Sequence, residues 1–154
     1  MGVEVNRDNI WLNFDATNRA DAIHAICRRL HEQNKTTDFN GLYSDIIRRE
    51  RVVSTFAGHD TAIPHVISSH VDHPVFCFIR VSNSDLTWHG DSEKVTFIIF
   101  SAIPDNGDLA HIREQHSQVF AAIAQLLHTP EATNRWKTTN DEQLICDDLN
   151  HAFR

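Results

Sequence analysis

Two short runs, Val75-Phe-Cys-Phe-Ile-Arg-Val81 and Val95-Thr-Phe-Ile-Ile-Phe100, limit what this chain can fold into more than any other feature. Both are rich in β-branched and aromatic residues and end in turn-forming stretches, Ser82 to Asp85 and Pro104 to Gly107, which is how strands read. They are apolar almost throughout instead of at alternate positions, so the sheet they build must be covered on both faces, although periodicity alone also fits buried helix at these lengths.

The covering elements are legible too. A strand is expected around Ile10 to Phe14. Asn18 and Asp21 have capping-box spacing, and Ala22, Ile23, Ile26, Cys27 and Leu30 share one face of a helix running to about His31. Asp38 and Asn40 punctuate a turn before a second helix, carrying Leu42, Tyr43, Ile46 and Ile47, which ends in the charged run Arg48-Arg49-Glu50-Arg51. Leu86 to Asp91 reads as an edge hairpin or turn. Leu109 to His128 is the longest amphipathic stretch, Thr129-Pro130 caps a short helix, and Asn140-Asp141-Glu142 opens a last one with Leu144, Ile145, Leu149 and Phe153 inward. The expected architecture is α/β: a three-layer α/β/α sandwich with a mixed sheet flanked by helices, one domain over residues 1–154.

That length suffices to bury a core without cross-links. The formal charge of −7 and the lack of any Lys/Arg run exclude a basic nucleic-acid surface. Cys27, Cys77 and Cys146 form no Cys-x-x-Cys pair and read as reduced core thiols. No apolar run approaches the ~20 residues that span a bilayer, and the polar start, with Glu4, Arg7 and Asp8, is no secretory leader. The expected location is the cytoplasm, and the chain end at Arg154 is read as that of a stand-alone polypeptide.

The chemistry concentrates in Asp60-Thr61-Ala62-Ile63-Pro64-His65. Pro64 fixes its own φ and holds Ile63 extended, so His65 is delivered at a defined place. Arg49-Glu50, Ser54-Thr55 and Gly58 precede it, and His116 opens the helical run Val119, Phe120, Ile123, Ala124, Leu126, Leu127. In this order and spacing the chain resembles the enzyme IIA domains of the fructose/mannitol class of the bacterial phosphotransferase system, which include the nitrogen-regulatory IIA proteins. It departs from their pattern at Asp60-Thr61 (usually Gly-Ile), Val66 (usually Gly) and Ser117 (usually Leu), and the first of these is expected to bring a carboxylate near the site.

The resemblance implies a three-layer α/β fold and a phosphoryl carrier. His65 would be the phosphorylated nucleophile, His116 the transition-state stabiliser and Arg49 the phosphoryl contact, with His111 the rival for the second histidine. An imidazole is nucleophilic when neutral, and its phosphoramidate passes the group on. The donor would be HPr or a homologue and the acceptor a cysteine of an enzyme IIB, with the membrane IIC component reached only indirectly; no cofactor or metal is required. Docking would need an exposed apolar patch, for which Phe56, Val66 and Ile67 are the candidates. Two other readings remain open: a regulatory IIA that controls partners through its phosphorylation state, and a zinc site among His59, His65, His70 and His73, whose spacing matches no compact ligand pattern.

Overall fold

The computed structural model describes residues 4–83 and 85–153; Ser84, in the turn expected after the Val75–Val81 run, and Arg154 lie outside them. Five strands and five helices follow a 3₁₀ turn at Arg7–Asn9: β1 Ile10–Phe14, α1 Arg19–Glu32, α2 Phe39–Val52, β2 Thr61–Ala62, β3 His65–Ser68, β4 Val75–Val81, β5 Phe97–Pro104, α3 Leu109–Leu127, α4 Pro130–Thr138 and α5 Glu142–Phe153. The sheet runs β1-β4-β5-β2, and β3 follows β2 along the same side of β5. β1 is parallel to β4, β4 antiparallel to β5, and both β2 and β3 parallel to β5, so the sheet is mixed as expected.

Alternate residues of the two apolar strands feed two separate cores. Val75, Cys77, Ile79, Ile98, Phe100 and Ala102 pack beneath α1 and α2. Phe76, Phe78, Phe97 and Ile99 pack against α3, α4 and α5 around Trp136. This two-sided burial is why those strands lack polar alternation. The caps follow the chemistry of the sequence: Asn18 accepts from the Asp21 N–H, and Asp38 accepts from the Gly41 N–H. Thr129 begins α4 without a side-chain cap, leaving that start to Pro130.

Two elements differ from the sequence expectation. The strand expected at Val95–Phe100 lies at Phe97–Pro104. Val95 is drawn instead into the hairpin, where its N–H reaches the Leu86 carbonyl at 3.0 Å and Trp88 pairs with Glu93 at 2.8 Å. The far end of β5 gains Ser101 to Pro104 because they pair with β3, a strand too short for a periodic signal. In α5 Leu144 packs against the core while half-buried, and Cys146, not expected inward, is buried beside Ile145. Cys27, Cys77 and Cys146 are free and buried, and burial pushes the first two thiols up to about 12.

Candidate functional site

The site forms where the C-terminal end of α2, the start of β3 and the first half of α3 meet. Pro64 separates β2 from β3, and the turn before β2 runs through three residues with positive φ, Gly58 (79°), His59 (51°) and Asp60 (55°). Asp60 is exposed. What it contributes is its main-chain carbonyl, which accepts from the N–H groups of Thr96 and Phe97, and its carboxylate is not among the groups lining the cleft at His65. The expectation of a carboxylate from Asp60 beside the site is thus corrected. The buried carboxylate that acts on His65 is that of Glu50, 3% exposed.

His65 is half-buried and held at both ring nitrogens. Nδ1 lies 2.9 Å from the Ile63 carbonyl, which can only accept, so Nδ1 carries the proton. Nε2 lies 3.1 Å from Nη2 of Arg49, which can only donate, so Nε2 presents its lone pair. The two contacts require the same tautomer. Arg49 is itself steadied by a 3.2 Å bond from Nη1 to the Val53 carbonyl.

Across the cleft His116 is buried, with its ring centroid 5.7 Å from that of His65. Its Nε2 is buried with no hydrogen-bond partner, a costly arrangement unless a ligand supplies one. Phe120, one turn on, packs at a tilt against both imidazoles, its ring centroid 4.6 Å from that of His65 and 5.3 Å from that of His116. In the sequence Phe120 is marked only as part of the apolar run that follows His116. His111, the rival second histidine, is exposed in the first turn of α3, where its backbone N–H meets the Asp108 cap.

Burial lowers the pKa of His65, opposed by the bond to Ile63, with Arg49 lowering it further and Glu50 raising it. His116 is lowered to about 4 by burial and by His65 beside it. Both rings are therefore neutral near pH 7, the form in which one is a nucleophile and the other a hydrogen-bond donor. The cleft encloses about 650 Å³ and is lined by Arg48, Arg49 and Arg113 as well as by Asp45 and Asp105; Arg48 is paired with Asp45 at 3.4 Å, and Arg49 is the cation at Nε2 of His65. A second cavity, of about 510 Å³ between Lys35, His73, Ser101 and Gln115, contains neither His65 nor Arg49.

Of the three residues expected to form the docking patch, Val66 is buried in β3, where it pairs with Ala102, while Phe56 and Ile67 are half-buried. The exposed apolar side chains at this rim are Val52 (79%) and Val53 (58%), which directly follow the charged end of α2. Two successive valines after Arg51 were the available signal for them. The remaining histidines of the zinc reading are dispersed: His59 packs edge-on to His128 at 4.6 Å, and His70 lies between Asp38 and Asp45. Among the described residues no three His, Cys, Asp or Glu side chains are grouped so as to hold a metal, and no helix is long and apolar enough to cross a membrane.

Comparison with known proteins gives a consistent family. The family described as phosphoenolpyruvate-dependent sugar phosphotransferase system, EIIA 2, matches residues 5–152. The 2-O-α-mannosyl-D-glycerate-specific EIIABC component of the phosphotransferase system of Escherichia coli K12 is 31% identical over 143 residues. That alignment takes in 90% of this chain but only 21% of the relative. Among solved structures, the nitrogen regulatory protein IIA-Ntr of Neisseria meningitidis superposes with a TM-score of 0.79 at 19% identity, covering 94% of each chain. The IIA mannitol enzyme of E. coli, solved in complex with its phosphorylated IIB, gives 0.69 at 18% identity, covering 96% of this chain and 98% of that one.

Proposed function

From the premise that this chain belongs to the EIIA 2 family of the phosphoenolpyruvate-dependent sugar phosphotransferase system, we propose that it is a cytoplasmic phosphoryl carrier working through His65. It accepts the group from the phosphohistidine of HPr or a homologue and passes it to a cysteine of an enzyme IIB. The observation that carries this reading is the pairing at His65: Nδ1–H is committed to the Ile63 carbonyl, Nε2 is the unprotonated nitrogen and meets the Arg49 guanidinium, and an unpartnered His116 nitrogen stands in the same cleft.

In the accepting step the Nε2 lone pair attacks phosphorus, the donor's P–N bond breaks, and its electron pair returns to the donor imidazole. The Ile63 carbonyl stabilises the positive charge that develops on the ring through Nδ1–H. In the passing step a thiolate attacks the same phosphorus and the pair of the breaking P–N bond returns to Nε2. Phosphoryl transfer asks mostly for alignment and for cations at the equatorial oxygens. Arg49 supplies a guanidinium at Nε2, and the His116 N–H supplies a donor; loss of either is expected to cost on the order of 10²–10³ in rate. Val52 and Val53 give a partner an apolar rim to dock on.

The test is incubation with phosphoenolpyruvate, enzyme I and HPr or its nitrogen-branch homologue, followed by intact mass and acid-lability analysis. One acid-labile phosphoryl group on the native chain, absent from a folded His65→Gln variant, is the expected result. Labelling that persists in that variant removes His65 from the mechanism. Onward transfer to a purified IIB cysteine separates a transport carrier from a regulatory IIA, which would be labelled without passing the group on.

A further inference from the structure

Glu50 is a buried carboxylate for which phosphoryl transfer itself has no use. Its oxygens collect three donors: the Thr55 hydroxyl on Oε1, the Thr55 backbone N–H at 3.3 Å on Oε2, and Arg19 of α1 at 3.6 Å, also on Oε2. The Thr55 hydroxyl in turn accepts from Nε1 of the buried Trp88 at 3.3 Å, so its own proton is directed to Glu50. Thr55 held in this way offers its carbonyl to the Ile63 N–H at 2.9 Å, and the Ile63 carbonyl takes the Nδ1–H of His65 at 2.9 Å.

The geometry points to Glu50 as the positioning residue that fixes the tautomer of His65 through Thr55 and Ile63, while Arg49, its neighbour in sequence, engages the opposite ring nitrogen directly. Adjacent residues on one helix turn thereby govern both nitrogens of one imidazole, Arg49 by contact and Glu50 by relay. The charge of Glu50 also raises the affinity of His65 for protons, against the opposing effect of Arg49. A carboxylate suits the post better than an amide. Both of its oxygens accept, whereas a glutamine would either set its NH₂ group against the Thr55 N–H or turn the Thr55 hydroxyl from donor to acceptor and redirect its proton. The inference rests on His65 as the nucleophile for its consequence in rate, though not for its consequence in tautomer.

The experiment is ¹⁵N NMR of the His65 ring in the unphosphorylated protein, run beside phosphoryl acceptance from phospho-HPr, for Glu50→Gln, Thr55→Val, Thr55→Ser and Arg49→Lys. The native ring is expected in the Nδ1–H form alone. Glu50→Gln and Thr55→Val are expected to populate both neutral tautomers and to slow acceptance about tenfold, Thr55→Ser to restore the native spectrum, and Arg49→Lys to slow acceptance without mixing tautomers. Thr55→Val and Thr55→Ser keep the carbonyl and differ in the hydroxyl, so the relay remains testable even where Glu50→Gln weakens the fold. Native tautomer and native rate in both Glu50→Gln and Thr55→Val would overturn the proposal. A native chain that shows the single tautomer but is never phosphorylated would instead remove the carrier function and leave the relay standing.

Discussion

His116 is protonated at a different pH in the folded chain than in the unfolded one. In the fold it stays neutral down to about pH 4, whereas its ordinary value is 6.5. Above 6.5 both states are neutral and stability is undiminished. As pH falls from 6.5 toward 4 only the unfolded chain takes up the proton, so stability is lost across that window, by about 3 kcal/mol. Urea unfolding across the window is expected to show this slope, and His116→Gln to flatten it. His65, also lowered, adds to the slope in the same direction. At this scale the sequence was informative about identity and silent about partners. Pro64 and the order of Arg49, His65 and His116 marked the residues to examine, because a proline restricts its neighbours whatever surrounds it. That Glu50, and not Asp60, supplies the buried carboxylate depends on which way α2 and the turn before β2 face. Tertiary contact decides that, and no spacing reports it.

Among the elements, α2 carries the most consequence, since its last turn holds both Arg49 and Glu50 and its first turn is fixed against the loop after β3. There Asp38 caps the helix at Gly41, Thr36 donates to the His70 carbonyl at 2.7 Å, and the His70 ring lies over Gly41. A Cβ at Gly41 would stand 2.5 Å from Asp38 Oδ2 and 2.6 Å from His70 Nε2. Alanine for glycine inside a helix ordinarily gains about 1 kcal/mol. Here the displaced cap and imidazole are expected to cancel or reverse that gain, so Gly41→Ala should leave the melting temperature unchanged or lower in a thermal scan. Helices of this kind were legible because an apolar stripe and a cap are local signals: Asn18 and Asp38 both cap as their residue types lead one to expect. β2 and β3, with two and four residues, are held by pairing with β5 and not by any pattern of their own.

In the whole molecule, two cores share one sheet, and Arg80 ties the sheet to the helical layer beyond it. This half-buried side chain in an otherwise apolar strand donates to the carbonyls of Leu12 in β1 and of Trp136 in α4, each at 3.1–3.2 Å, and to the Thr139 carbonyl in the link to α5. Arg80→Ala leaves three carbonyls without that donor and is expected to destabilise the fold by about 2–4 kcal/mol, with Arg80→Lys only partly restoring it because an ammonium cannot reproduce the fork. The shared sheet also argues that the chain unfolds as one domain. Tryptophan fluorescence, with Trp88 in one core and Trp136 in the other, and far-ultraviolet circular dichroism are expected to give a single coincident transition in denaturant.

The break between β2 and β3 has a bearing on solubility as well as on His65. Together they cover the outer side of β5, where a long straight strand would offer a row of unpaired N–H and C=O groups to any passing chain. Pro64 removes one donor from that row and divides it into lengths of two and four residues, which are poor templates for a further strand. The irregularity that delivers the reactive imidazole therefore also guards the sheet against growing by addition of other molecules. A variant straightened at Pro64 would be exposed to aggregation at the same place where it lost its chemistry.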